Sequence, residues 1–354
     1  MRLPLKFGAE TIHSIQVAHV ELEAYGVMGR GETPLSVAWA WPSEISFAER
    51  EQTMMDFCRL LADYYPQPIA DDSDPMTIGY TFLETTLPKL LQEFNAKRAT
   101  PMPYLAALIC ASAFDIALHD AYGNSLQINT YKTYNDIFMK HDLAWFFQDD
   151  AFLGKYPQDF FVTNPPEALP VWHLVGGKDL LRETERTGIE PDDGYPVSLE
   201  KWIERDGLKC LKIKLTGRDE AADYARTVAV GKIALEFGVE ALSPDFNCLV
   251  HAPAYVTRIL DRLAQEHPAI HELLLYVEQP FPYDLEANRI DVHEVSQRKP
   301  LFMDESAHDW RLVRLGFELG WNGVALKVCK TQTGQSCRAV PYVRRHAAFS
   351  HLLW

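Results

Sequence analysis

Two lysines in a predicted strand are placed where they could remove a proton from a substrate. In the segment KCLKIKL at residues 209–215, side chains alternate between two faces, so Lys212 and Lys214 share one face and apolar side chains share the other. A lysine that lies beside another cation in a water-poor site has a lowered pKa and can act as a general base near neutral pH. One of these two lysines could therefore serve as such a base. The residues alone leave an alternative, a half-exposed strand with a solvated lysine face.

Three carboxylates end three later apolar runs of the chain. Asp245, Glu278 and Asp304 each lie at the C-terminal end of a predicted strand, so their side chains should converge. Carboxylates that converge without countercharge repel one another, and a hard divalent cation with oxygen ligands relieves that repulsion. The pattern therefore predicts an Mg²⁺ site. Taken singly, Asp245 and Asp304 also fit helix N-caps, since each precedes a helical segment.

A third lysine ends the next apolar run. Lys327, in GVALKVCK, should face Lys214 across the mouth formed by the strand ends. Its alternative interpretation is an exposed lysine at the end of a strand. Lys330 follows three residues later, and we interpret it as a lysine at the start of a helix, without a role in the site.

The elements that must position these residues are alternating strands and helices. From Lys214 to Lys327 the five strand-end residues are separated by 31, 33, 26 and 23 residues, about one strand, one helix and two loops each. Chemistry at the C-terminal ends of successive parallel strands is typical of the (β/α)₈ barrel. We therefore predict an α/β protein, with an α+β capping domain at residues 1–125, a connecting region at 126–168 and a TIM-type barrel at 169–354.

Composition excludes several other classes of protein. The formal charge of −15 argues against nucleic acid or an anionic membrane as a partner, because both demand clustered cationic surface. No apolar stretch is expected to reach the roughly 20 residues of a membrane span, and the N-terminus lacks the apolar region of a signal peptide. The six cysteines are scattered, without a metal-binding or disulfide spacing. We expect a cytoplasmic protein.

Five short motifs in order resemble the enolase superfamily. They are Lys-Ile-Lys at 212–214, Asp-Phe-Asn at 245–247, Val-Glu-Gln-Pro at 277–280, Asp-Glu-Ser at 304–306 and Ala-Leu-Lys at 325–327. Within the superfamily the chain is similar to the muconate lactonizing enzyme and dipeptide epimerase subgroup. The segments GRGETPL and ASAFDIALHDAYG resemble the capping domain of that family. The match is poorer to the mandelate racemase branch, which uses a histidine further along the chain.

The resemblance implies Mg²⁺-dependent abstraction of the proton α to the carboxylate of a small-molecule substrate, with an enolate intermediate. It implies that the three acids hold the metal, that Lys214 is the base and that Lys212 lowers the pKa of Lys214. Lys327, on the opposite face, would either return a proton or only hold charge through a cation–π or electrostatic contact. Asn247 and Glu305 would orient these groups or tune the lysines. Two flanking lysines favour racemisation or epimerisation of an amino acid derivative or dipeptide. Cycloisomerisation of a muconate and syn-elimination to an aryl succinate are the alternatives, and a homo-oligomer is an expectation from the family.

Two N-terminal segments are expected to select the substrate by closing over the barrel mouth. They are residues 2–8 and the tryptophan-rich residues 36–43. The alternative for Trp39 and Trp41 is packing within the capping domain.

The C-terminal part of the chain departs from the family pattern. A complete barrel needs two more strand–helix units after the strand of Lys327, and only 27 residues follow that lysine. Residues 331–354 contain no Asp or Glu, and Pro341 should interrupt the helix expected there. We therefore expect an incomplete barrel, and hypothesise a truncation or a shifted reading frame near residues 335–338. The rival function is an inactive relative that only binds metal or ligand.

Overall fold

The N-terminal part of the protein contains two antiparallel hairpins. The computed structural model describes residues 1–7, 10–43, 45–65 and 73–346. Strand β1 (Leu5–Phe7) pairs with β2 (Glu10–Ile12), and β3 (Val17–Ala24) pairs with β4 (Val27–Pro34). Tyr25 and Gly26 join β3 to β4 with φ angles of 53° and 72°, which is the left-handed backbone of a tight hairpin turn.

Helices pack on the second hairpin. They are α1 (Val37–Ala40), α2 (Phe47–Tyr64), α3 (Pro75–Thr81), α4 (Leu87–Asn95), joined to α3 by a π-helical turn, and α5 (Tyr104–Leu126). Helix α5 lies directly on β4 because Gly29 and Gly31 have no side chains. A Cβ atom on Gly31 would lie 1.9 Å from the carbonyl oxygen of Ala113 in α5. The two glycines thus permit the close approach of strand and helix.

Helix α5 corrects the expectation that no segment could span a membrane. It has 23 residues and is apolar enough to cross a bilayer by length and composition. However, 83% of its most apolar window is buried inside the fold, as in the core helix of a globular protein.

All six cysteines lie in the part of the chain that the structure describes, and none of them forms a disulfide there.

The C-terminal part is built on a parallel sheet. Its strands are β5 (Trp172–Val175), β6 (Cys210–Lys214), β7 (Ala241–Asp245), β8 (Val277–Glu278), β9 (Leu301–Met303) and β10 (Gly323–Val324), in that spatial order. The sheet helices are α7 (Leu199–Asp206), α8 (Glu220–Phe237), α9 (Pro253–Glu266), α10 (Pro268–Leu273), α11 (His293–Ser296), α12 (Trp310–Glu318) and α13 (Val340–His346). Each connection returns the chain parallel to the preceding strand, as predicted.

The parallel sheet does not close on itself in the part of the chain that the structure describes. Strands β5 and β10 each pair on one side only, so six strands form an open sheet. The architecture is therefore an N-terminal cap followed by an incomplete TIM-type barrel, which confirms the predicted fold class.

The connecting region lies against the last helices of the open barrel. It contains helix α6 (Leu143–Phe147), which lies between α5 and α7 in the chain. The ring of Phe147 lies 5.0 Å from that of Trp310 in α12 and 5.9 Å from that of Tyr342 in α13. Phe146, Phe147 and Phe152 belong to the same buried cluster as the sheet residues. The region therefore adds to the barrel core.

The segment around residues 335–338 forms hydrogen bonds with other parts of the fold. Gln335 donates to the carbonyl oxygen of Ala307 at 3.0 Å, and Arg338 donates to Glu84 at 2.6 Å. The sequence predicts that Pro341 interrupts this helix. Instead, a π-helical turn at Gln335–Ala339 runs directly into α13. Pro341 is the second residue of α13, where a missing backbone N–H is tolerated. The hypothesis of a truncation or shifted reading frame stays untested.

Candidate active site at the ends of the parallel strands

Strand β6 points both of its lysines into the interior. The Nζ atom of Lys214 donates to Asp245 Oδ2 at 2.5 Å and to Asn247 Oδ1 at 3.0 Å. The Nζ atom of Lys212 lies 2.5 Å from Glu278 Oε1 and 3.1 Å from Asp245 Oδ2. The side chain of Lys214 is only 5% exposed. The alternative of a solvated lysine face is therefore excluded.

The two lysines have opposite pKa shifts. Burial lowers the pKa of Lys214, and the neighbouring ammonium of Lys212 lowers it further, against the opposing effect of Asp245. Burial acts in the same direction on Lys212, but Glu278 and Asp245 outweigh it and raise its pKa well above the ordinary lysine value. Lys212 therefore keeps its charge, while Lys214 is the lysine that can lose a proton. The roles of Lys214 as the base and Lys212 as its neighbouring cation stay a prediction.

The cap and the last strand meet at Asp304. Lys327 donates to Asp304 Oδ2 at 2.5 Å, and the indole Nε1 of Trp39 donates to the same oxygen at 3.1 Å. The Nζ atom of Lys327 also lies 4.7 Å from the centre of the Trp39 ring, a cation–π contact. Burial alone would raise the pKa of Asp304, but the neighbouring lysines hold it far below its ordinary range.

The predicted closing segments both lie near the mouth. Trp39 and Trp41 are both buried in the cap core, which agrees with the alternative of packing within the capping domain. Trp39 also donates to Asp304 at the strand ends. In residues 2–8, the backbone oxygen of Lys6 accepts from Gly177, which follows the end of β5. Gly8 lies outside the described residues.

Lys330 corrects the interpretation of a helix-start lysine without a role. Its side chain is fully buried, and its Nζ atom donates to the carbonyl oxygens of Asp304 at 2.7 Å and Ala325 at 3.3 Å. The same Nζ lies 3.6 Å from Asp304 Oδ1. Lys330 therefore holds the loop after β9 against the end of β10.

Asn247 and Glu305 lie beside the predicted ligands. Asn247 has a φ of 54°, a left-handed conformation that Asn tolerates, and its Nδ2 donates to the carbonyl oxygen of Leu215 at 2.9 Å. This fixes the oxygen that accepts from Lys214. Glu305 is buried, and its burial together with the charge of Asp304 raises its pKa to about 8. Glu305 therefore tends to stay protonated at neutral pH.

Gln279 is a positioning residue that sequence reasoning missed. Its Oε1 accepts from the backbone N–H groups of Asp304 at 2.8 Å and Ser306 at 3.2 Å, while its Nε2 donates to Ser306 Oγ at 2.8 Å. The side chain thus joins the end of β8 to the loop after β9. Its place beside Glu278 in the Val-Glu-Gln-Pro motif was the available signal.

The donor set of the strand ends fits a hard cation. Asp245 and Glu278 are register partners on adjacent strands, and Asp304 follows the next strand. Asp304 Oδ1 is buried and accepts no hydrogen bond from the part of the chain that the structure describes. Oxygen donors of this kind suit Mg²⁺. Among the described residues, however, no group of three or more His, Cys, Asp or Glu side chains is placed to hold a metal ion. A lysine contacts each of the three carboxylates. The Mg²⁺ site stays a prediction.

The two candidate acid–base lysines lie at opposite ends of the row of carboxylates. Lys214 contacts Asp245 at the β7 end, and Lys327 contacts Asp304 at the β9 end. A small molecule above the row would therefore meet one lysine side chain at each side. The side chain of Lys327 is 35% exposed, the most open of these groups.

Comparisons with known proteins bear on the fold. No protein-family model and no curated protein matches the chain. Among solved structures, a muconate lactonizing enzyme from Mucobacterium smegmatis complexed with muconolactone has a TM-score of 0.55 at 19% identity, covering 97% of this chain and 72% of that one. A mandelate racemase/muconate lactonizing protein from Herpetosiphon aurantiacus has a TM-score of 0.59 at 15% identity, covering 97% and 75%. The chain therefore shares with these structures a fold of an N-terminal cap followed by a TIM-type parallel sheet.

Proposed function

We propose that this protein catalyses Mg²⁺-dependent abstraction of the proton α to a substrate carboxylate, and that it racemises or epimerises an amino acid derivative or dipeptide. The observation that carries the proposal is the placement of Lys214 and Lys327 at the two ends of one row of carboxylates. Two acid–base groups on opposite faces of one carbon can remove a proton from one face and return it to the other. The stereocentre is then inverted.

Each lysine has a separate task in this mechanism. Lys214, whose pKa burial and Lys212 lower, accepts the α-proton at its Nζ atom. Lys212 stays charged and attracts the substrate carboxylate. Lys327 is charged, since Asp304 outweighs the effect of burial and raises its pKa, so it can donate a proton to the opposite face of the enolate.

The remaining groups hold the reacting atoms and limit access of water. Asp245, Glu278 and Asp304 would hold Mg²⁺, which when bound supplies positive charge beside the substrate carboxylate. Asn247 keeps Lys214 in place through its hydrogen bond. Trp39 covers the mouth from the cap and contacts both Lys327 and Asp304, which supports a role in excluding water from the developing enolate.

Exchange of the α-proton in D₂O tests the proposal. With Mg²⁺ and a panel of N-acyl amino acids and dipeptides, NMR should show loss of the α-proton signal with the wild-type protein. Lys214→Ala should lower the exchange rate by about 10²-fold or more, the usual contribution of a general base. Lys232→Ala, on the exposed surface of α8, is the matched control and should exchange like the wild type.

The outcome in Lys327→Ala separates proton exchange from inversion. This variant should still exchange the α-proton of one enantiomer but should form little of the other. Equal exchange in Lys214→Ala and the wild type would refute the assigned base. Removal of Mg²⁺ with a chelator should stop exchange. No exchange with any carboxylate would favour the inactive relative that only binds metal or ligand.

A second candidate reaction is cycloisomerisation of a muconate. It is favoured by one comparison, since a structure with the same fold is a muconate lactonizing enzyme complexed with muconolactone. The same lysines and carboxylates would serve that reaction and a syn-elimination to an aryl succinate. Loss of the ultraviolet absorbance of muconate on incubation with the protein, abolished in Lys214→Ala, would identify the cycloisomerase.

A further inference from the structure

A large groove lies outside the barrel mouth, between the connecting region and α13. We call it the outer groove and define it by residues that line it, namely Tyr131, Phe161, Val162, Leu326, Val340 and Arg344. Its volume is about 860 Å³, within the usual range of small-molecule sites.

The outer groove is separate from the strand-end carboxylates. Leu326 lines it, and the next residue, Lys327, reaches Asp304 in the barrel mouth. The backbone of Lys327 is extended, with φ −140° and ψ 122°, so neighbouring side chains point to opposite faces. A ligand in the outer groove would therefore lie behind the strand end that carries Lys327.

One wall of the outer groove is aromatic and open to solvent. The rings of Tyr131 and Phe161 meet edge to face with their centres 5.8 Å apart. Tyr131 and Val162 are both exposed, although both have apolar surface. Exposed apolar surface inside a concave site favours an apolar or aromatic ligand body.

Two cationic side chains, Lys132 and Arg344, line the same groove. Among the residues that the structure describes, the buried Nε atom of Arg344 has no hydrogen-bond partner. Within residues 1–7, 10–43, 45–65 and 73–346, neither Arg344 nor Lys132, which also lines the groove, forms an ion pair. A buried donor without a partner is costly, and a guanidinium group prefers a carboxylate. In a protein with a charge of −15, such cations point to an anionic ligand.

We propose that the outer groove binds a small amphipathic carboxylate. Its flat aromatic or short acyl body packs against Tyr131, Phe161 and Leu326, and its carboxylate accepts hydrogen bonds from Arg344 with Lys132 nearby. This site is independent of the proposed proton abstraction, since none of its residues belongs to the strand-end site.

Binding of 2-naphthoate, measured by titration calorimetry on the full chain, tests the proposal. The wild type should bind it saturably, and the uncharged analogue 2-naphthylmethanol should bind at least about tenfold more weakly. Arg344→Gln keeps most of the side-chain length and should weaken the binding of 2-naphthoate by about tenfold or more. The matched control is Arg345→Gln, because Arg345 is exposed and lies over the ring of Phe152 instead. This control should bind like the wild type.

Lys327→Ala identifies which site binds the probe. If 2-naphthoate occupies the outer groove, this variant binds it with unchanged affinity. Loss of binding in Lys327→Ala would place the probe in the barrel mouth and overturn the proposal. Three other results would also overturn the proposal. They are equal affinity for 2-naphthoate and 2-naphthylmethanol, equal affinity of Arg344→Gln and the wild type for 2-naphthoate, and no saturable binding up to millimolar probe. Circular dichroism of each variant checks that it is folded.

Discussion

At the scale of single residues, Lys330 is a fully buried lysine beside the strand-end carboxylates. An interior lysine is rarely fully buried unless its charge is paired. Lys330 meets that condition through backbone carbonyl oxygens on two different strand ends and through its approach to Asp304 Oδ1. Burial lowers its pKa and Asp304 opposes that effect. The residue thus connects two loops at the site while remaining out of reach of solvent.

We expect Lys330→Met to destabilise the protein by about 3 kcal/mol. The substitution keeps an unbranched chain of similar length but leaves the carbonyl oxygens of Asp304 and Ala325 without their donor, and breaking a buried charge pair has a cost of this order. Urea denaturation followed by circular dichroism measures the change. Lys232→Met, at an exposed position of α8, should leave the denaturation midpoint unchanged. A midpoint for Lys330→Met equal to that of the wild type would show that the buried contacts contribute nothing.

The residues at strand ends could be located from the sequence, and their partners could not. Alternation within one strand places Lys212 and Lys214 on the same face, which needs only local information. The contact between Trp39 and Asp304 joins positions 265 residues apart, so no local pattern encodes it. Lys330 lies beyond its strand, in a short 3₁₀ turn that redirects its side chain, and spacing from Lys327 did not reveal that turn.

At the scale of elements, the connecting region has a structural part in the barrel. The open edge of a parallel sheet and its last helices expose apolar surface that other strands would otherwise cover. Here the aromatic rings of α6 and of the turn that follows it lie against α12 and α13. Residues 126–168 therefore cover part of a surface that the incomplete barrel leaves available.

Phe147→Ala should destabilise the protein by about 3–5 kcal/mol. Its ring is buried and lies within 4.5 Å of the Phe152 ring centre and 5.0 Å of that of Trp310, so truncation leaves a cavity between α6 and α12. Thermal and urea denaturation measure the effect. Leu153→Ala in the same region is the control, since Leu153 is 72% exposed and should tolerate truncation. If both variants unfold at the wild-type midpoint, the connecting region does not support the barrel.

The element order followed from periodicity, but the connecting region did not. Alternating short apolar runs and capped helices predict parallel strands, and the structure has that order. Residues 126–168 are aromatic, polar and aperiodic, with one five-residue helix and several 3₁₀ turns, so their position is decided by tertiary contacts. The π-helical turn before Pro341 could not be predicted from periodicity either. Its wider backbone accommodates a proline that sequence rules treat as a helix break.

At the scale of the whole molecule, a buried polar chain joins the cap to the barrel. Thr333, in the loop after β10, donates to Asp115 Oδ1 in α5 at 2.7 Å. Its oxygen is then the acceptor for His119 Nε2 at 2.9 Å, and His119 Nδ1 accepts from the hydroxyl of Tyr134 at 2.8 Å. Gln332 donates to Tyr134 at 3.1 Å. Every group in this chain is satisfied when His119 is neutral.

Because His119 is buried, stability should fall when the solution is made mildly acidic. Burial lowers the pKa of His119 below the ordinary value of about 6.5, while Asp115 and Asp74 oppose that effect without cancelling it. Below about pH 6.5, His119 therefore binds a proton in the unfolded chain but stays neutral in the folded chain. Stability from this group is complete above that pH and is lost as the pH falls towards the folded pKa, by at most about 1.4 kcal/mol per pH unit.

His119→Gln isolates this contribution to the joint between cap and barrel. Gln keeps a donor for Thr333, loses the fit to Tyr134 and cannot be protonated, so the variant should be less stable than the wild type at pH 7.5 but lose less stability on going to pH 5.5. Urea denaturation across that range gives both quantities. His251→Gln, at an exposed position, should keep the wild-type slope. If the stability of His119→Gln depends on pH as steeply as that of the wild type, the acid sensitivity of the molecule arises from other groups. Protonation of His119 would then not control the stability of the contact between cap and barrel.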